Sequence, residues 1–188
     1  MQKHKSDKLS AVDTAGAVLG YRGAVPEGME LKGWYTATMR DASGKTLWEE
    51  QFPNLVTTVG KNYILDNALA GSAYTATMYI GLISNTSYTA VAAADTMASH
   101  AGWTESQNYS QGARPTTAWS AASAGSKALS AALTFSMNAT DTIKGCFMTT
   151  VSTKGGTTGT LISAGLFTGG DQPAVNGNSL SVSYSMAA

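Results

Sequence analysis

Charged side chains are the scarcest feature of this sequence. They make up 13% of its 188 residues, against roughly 25% in a typical soluble globular protein, so solubility has to rest on serine, threonine, asparagine and glycine. Lys plus Arg and Asp plus Glu cancel at 12 each. No stretch concentrates the positive charge that neutralising nucleic-acid phosphates requires, which argues against DNA or RNA as a direct ligand. A formal charge of zero also does little to keep copies apart, and weakly charged surfaces of this kind favour association.

Cysteine occurs once, at Cys146, so no disulfide can form within the chain, and a reducing site of synthesis fits. Histidine occurs only at His4 and His100. Without an HExxH run or a cysteine pair the ligand sets of zinc sites are missing, and neither a metal nor a cofactor is expected. Long apolar runs are missing too. Nothing approaches the roughly 18 to 20 residues of a membrane span, and no membrane partner is expected. The opening MQKHKSDK is basic enough to start a signal peptide, but Asp13 and Arg22 interrupt the short apolar pieces that follow, so the segment is read as retained.

The remaining chemistry is sparse. Asp95, His100 and one of many serines would supply the residue types of a hydrolytic triad, but no GxSxG elbow is present. TKGGTTGT, at 153–160, lacks the GxxxxGK[ST] spacing of a phosphate loop and reads as a hairpin turn. Cys146 stands in GCFMTTV among alternating apolar neighbours, the setting of a small core residue rather than a nucleophile. No catalytic residue is assigned.

What is present is mostly β-patterned. In LKGWYTATMR, residues 31–40, Trp34, Thr36 and Thr38 alternate with Tyr35, Ala37 and Met39; DASGK then supplies a turn, and TLWEEQF resumes an extended run. Trp48 and Phe52 share a face with Glu50, so one end of that face is expected to be wet. Pro53 is expected to stop the ladder. Thr57 or Thr58 can then cap a helix of about three turns carrying Ile64, Leu65, Ala68 and Leu69 at three- and four-residue spacing, with Gly71 placed to end it. With no His or Cys beside Lys61 and Asp66, that helix is expected to cover one open end of a sheet sandwich rather than to carry chemistry.

Further strands are expected at 77–83, around 114–119, and at 126–137, 142–152, 159–167 and 179–186, separated by turn-rich segments. About eight strands with this spacing predict an all-β, jelly-roll-like antiparallel β-sandwich over residues 29–188. Ile80, Leu82, Phe135, Phe147, Leu161 and Phe167 fall in the most apolar strand centres and are its expected core. Trp103 follows His100 and Gly102 in a loop and stands open between core packing and a contact. Arg114, which closes the same weakly patterned segment, joins it in the expected contact set.

Residues 1–28 show no sustained period and read as an extended N-terminal arm, able to reach roughly 90 Å if fully stretched. The alternative is a frayed terminus without a role. Lys3, Lys5, Lys8 and Arg22 make this the one locally basic segment, and Leu9, Val18, Leu19 and Tyr21 are among the apolar side chains it cannot bury alone. These eight residues are the expected partner contacts of the arm.

The order of segments, NLVTTVGKNYILDNAL, MYIGLI, DTMASHAGWTE, ARPTTAW, GCFMTTVSTKGGTTGTLISAGLF and SLSVSYSM, resembles small virion proteins of tailed bacteriophages, in part capsid decoration or cement proteins. The resemblance spans residues 31–188. It implies a jelly-roll-like sandwich, no catalysis, and many copies bound, as homo-oligomers, to the major capsid protein lattice on the outer surface of a virion. Two other classes remain at this point: a phage tail or fibre component gripping a host-surface glycan through loop aromatics, and a free-standing carbohydrate-binding module.

Overall fold

The computed structural model describes residues 30–69 and 77–188. In chain order the elements are β1 (Lys32–Arg40), β2 (Thr46–Val56), α1 (Thr58–Leu69), β3 (Tyr79–Ser84), β4 (Thr104–Ser106), β5 (Ser126–Ala128), β6 (Leu133–Ser136), β7 (Asp141–Thr149), β8 (Leu161–Leu166), β9 (Gln172–Ala174) and β10 (Ser179–Ala187). The expected arm and the expected helix terminator Gly71 lie outside the described residues.

β1 and β2 form the expected hairpin. Asp41 holds its turn by accepting hydrogen bonds from the Ser43 and Lys45 amides at 2.9 and 3.0 Å, and Gly44 takes a positive φ of 85° that suits glycine. The other edge of β1 pairs along its whole length with β10, Tyr35 opposite Tyr184 and Ala37 opposite Val182. β5 and β6 both pair with β10 and complete the first sheet. The second sheet runs β4, β3, β7, β8, with β9 alongside β7. All these pairings are antiparallel, the first and last strands are neighbours, and the chain passes repeatedly between the sheets. The fold is an all-β, jelly-roll-like sandwich with one short helix.

β2 belongs to both sheets. It pairs with β1 as far as Pro53 and with β8 from Asn54 to Val56. Pro53 therefore does not end the strand, as its missing amide suggested; it sits where the ladder changes partner, a place at which a missing donor costs little.

The two sheets bury different patterns. β10 reads Ser-Leu-Ser-Val-Ser-Tyr-Ser from 179 to 185, and Leu180, Val182 and Tyr184 are buried while the serines are half-exposed. That is a strand with one dry face. In β3, β7 and β8 nearly every residue is buried, because the second sheet is covered twice: by the first sheet on one side, and on the other by residues 85–103, whose Met97 and Trp103 pack with Ile83, Phe147, Leu161 and Ala164. Strands dry on both faces read as continuous apolar runs, which is what MYIGLI and LISAGLF are. Gly81 is required there, since a Cβ would overlap the Phe147 ring.

The segment around 114–119 makes isolated bridges only, from Thr116 to Tyr79 and from Trp119 to Leu129, and the single strand expected over 126–137 is broken into β5 and β6. Glu50 lies at a solvent-accessible end of its face, as expected, and there accepts hydrogen bonds from the Thr168 and Gly169 amides at 2.5 and 2.9 Å, which satisfies the loop after β8. The helix begins as expected: the Thr57 hydroxyl accepts from the Gly60 amide at 3.1 Å and donates to the Leu161 carbonyl at 2.5 Å, which ties the first turn to β8. Gly60 is a close approach, its Cβ position filled by the Ile162 carbonyl.

All six expected core residues are buried. Phe147 touches Trp103 with ring centroids 5.1 Å apart and lies under the Arg114 guanidinium at 5.2 Å. Phe147→Ala is expected to cost about 3–5 kcal/mol of stability in urea unfolding; a loss under about 1 kcal/mol would contradict this packing.

Candidate interaction surfaces

Charge is scarce, and beyond Gln51 most of it is held in contacts within the domain. Arg114 is buried at 2% exposure and meets Glu105 through two parallel bonds of 2.9 and 2.8 Å. Nη1 donates to the Val151 carbonyl and Nη2, which already bonds Glu105, also donates to the Gly156 carbonyl, each at 2.8 Å, while Glu105 also accepts from the Gly155 amide at 2.7 Å. A buried guanidinium satisfied on every side is a structural clamp. It ties β4 to the 150–160 connection between β7 and β8, so TKGGTTGT is a turn fixed from below, not a phosphate cradle. Lys154 in that turn points at the Tyr109 and Gln111 carbonyls, both at 2.8 Å.

Asp141 collects Ser84, Ser106, Asn108 and the Thr142 amide. Lys144 pairs with Asp171 at 2.6 Å, and Lys127 donates to the Ser120 carbonyl at 3.0 Å. Asp95 accepts the Trp103 indole N–H at 2.9 Å. Beyond Gln51, only Lys61 and Asp66 on exposed positions of α1 are left outside such contacts.

These contacts correct two expected partner residues. Trp103 is buried at 1%, its ring stacked on His100 at 4.1 Å between centroids, and Arg114 is locked to Glu105; neither side chain offers surface to a partner. Trp103 is thus a core residue, and the loop holding it is the second sheet's outer cover. Asp95 and His100 both turn to Trp103, His100 through Nδ1 to its carbonyl at 3.0 Å, instead of to each other and a serine. Lys3, Lys5, Lys8, Leu9, Val18, Leu19, Tyr21 and Arg22 lie outside the described residues. Among the described residues no group of three or more His, Cys, Asp or Glu side chains is placed to hold a metal ion, and no helix is long and apolar enough to cross a membrane.

The surface carries few charges and both signs, with Lys32, Arg40, Lys45, Glu49, Lys61 and Asp66 exposed. The outward side of the first sheet carries half-exposed Thr36, Thr38, Ser181, Ser183 and Ser185, with half-exposed Trp34 at one end and exposed Glu49 and Gln51 opposite Thr38 and Thr36, Glu49 accepting from the Thr38 hydroxyl at 2.9 Å. Large apolar side chains stand exposed around the helix: Leu55 at 39%, Leu65 at 42% and Leu69 at 81%. The helix covers the end of the sandwich incompletely, leaving a groove of about 480 Å³ whose lining includes Leu31, Ile64, Met78, Trp119, Tyr184 and Met186. A second hollow of about 560 Å³ lies on the other side of Leu31, between Trp34, Leu55 and Leu65.

No protein-family model and no curated protein matches the chain.

Sequence reasoning missed the Glu105–Arg114 clamp. The available signal was their isolation: each is the nearest opposite charge to the other in a stretch of more than forty residues that holds few charges. Arg114→Met is expected to destabilise the protein by about 3–5 kcal/mol, because Glu105 is left buried without its partner; adding Glu105→Gln should recover part of that loss. Urea unfolding of both variants checks the pair, and equal losses would contradict it. Cys146 is fully buried, and burial pushes its thiol well above the ordinary range. Thiol reagents at about pH 8–9, where a free cysteine reacts, are therefore expected to modify it no faster than the protein unfolds.

Proposed function

We propose that this chain is a structural virion protein that binds the outer surface of an assembled tailed-phage capsid and stabilises it, without catalysis. The segment order supplies the resemblance to capsid decoration proteins. The observation that carries the proposal physically is the low and balanced charge, with most charged side chains beyond Gln51 held in contacts within the domain: the surface is rich in Ser and Thr along the first sheet and in exposed leucines around the helix, which suits packing against copies of itself and a regular lattice. On this reading the protein is made in the bacterial host cytoplasm, acts on the virion as a homo-oligomer, and has the major capsid protein as its partner. The basic arm tip, Lys3, Lys5 and Lys8, extends the contact. The glycan-gripping reading rested chiefly on Trp103, and with that indole in the core it lacks its leading residue.

A protein that binds the assembled lattice but not free subunits stabilises the shell by mass action, in proportion to the logarithm of its concentration over its dissociation constant. Particles stripped of it are expected to release DNA at lower temperature than decorated ones, and re-addition should restore the difference. Gold labelling should cover the whole head. Equal heat resistance would remove the stabilising role, and label confined to one vertex would assign the protein to the tail.

A further inference from the structure

The groove between α1 and the sandwich is an opening into the core. Met148, Ile162 and Tyr184 belong to the packed interior between the sheets and also line the groove. Trp119 packs its ring edge-on to Tyr184 at 6.0 Å and forms part of the same wall. A hollow of this size and apolar character, left to water, forfeits contacts that a few apolar side chains would make.

The described chain starts at the groove's rim. Leu31 lines the groove, the first described residue is Glu30, and the preceding segment therefore departs from the place where apolar side chains are wanted. That segment holds Leu19, Tyr21, Val25 and Met29 at odd positions like Leu31, interrupted on that parity by Gly23 and Glu27. In an extended chain, residues of one parity share a face. The other parity over the same span is Gly20, Arg22, Ala24, Pro26 and Gly28, small or polar apart from the proline. Going back from Leu31 to Leu19 spans up to roughly 40 Å when extended, more than enough to turn back across the end of one domain.

We propose that residues 19–29 of the same chain dock in this groove, with Leu19, Tyr21 and Val25 set against Met78, Trp119 and Met186, leaving Lys3, Lys5 and Lys8 at the free end. A short tether gives the segment an effective concentration of the order of millimolar at its own groove, which favours it over a second copy in dilute solution. Docking needs no particle, so its failure and the failure of the capsid reading are separate.

The test uses the full-length protein carrying Ala24→Cys and Cys146→Ser, spin-labelled at the introduced thiol, with ¹³C-methyl methionine as reporter. In dilute solution the Met78 and Met186 methyl signals should lose most of their intensity, while Met97 and Met137, outside the groove lining, keep theirs. Adding Leu19→Asp and Tyr21→Asp should restore the lost signals. Unlabelled ¹³C protein mixed with spin-labelled ¹²C protein should show no broadening. Broadening in that mixed sample would overturn the proposal in favour of a segment exchanged between copies. Undiminished Met78 and Met186 signals in the labelled protein would overturn docking altogether.

Discussion

The bidentate pairing of Glu105 with buried Arg114 is the constraint on which the second sheet's outer half depends. Removing two charges from water is costly, and the cost is offset only where every donor and acceptor finds a partner. Here the partners are backbone groups of the 150–160 turn, so satisfying the pair also fixes that turn and the strands it joins. The same guanidinium covers Phe147, and Phe147 in turn carries Trp103 and the 85–103 loop. A segment with little regular structure of its own is thereby held as a layer of the core.

That layer explains how much of the fold was legible in the sequence. A strand with one dry face announces itself by alternation, as SLSVSYS does and as WYTATM does, and both were read correctly. The doubly covered strands were also legible as continuous apolar runs, but what covers their second face was not. Its pattern depends on contacts between residues far apart in the chain, and Trp103 gave the same local signal whether it faced inward or outward. The three-residue strands β4 and β9 were missed because such short pieces carry no period. Pro53 was misjudged for a related reason: its missing amide forbids a ladder bond locally, whereas β2 changes sheets there.

The candidate contact residues fared unevenly on the same principle. Composition revealed that charge was scarce, and scarcity made each charged residue more informative than usual. A lone Arg and a lone Glu nine positions apart in a neutral segment had more reason to find each other than to face solvent. Counting surface-forming residues by type alone hid that, since it assigns a long cation to the outside by default. The helix was legible through its cap and spacing, yet its spacing implied a buried stripe that the fold only half provides. Leu65 and Leu69 remain exposed.

Scarce charge and outward hydroxyl and apolar groups have a common consequence for association. Packing a lysine or glutamate into an interface requires desolvating an ion, whereas a serine or threonine hydroxyl costs far less and readily finds a backbone or water partner. Most of the face formed by Thr36, Thr38, Ser181, Ser183 and Ser185 can therefore be covered at small cost, Glu49 beside Thr38 being the one charge on it that a covering surface would have to match. A row of hydroxyls along neighbouring strands lacks the few converging polar groups in a concave site that capture of a single small ligand calls for. Of the two hollows, the more apolar opens at the helix beside Leu31, so it lies within reach of the residues that precede Glu30.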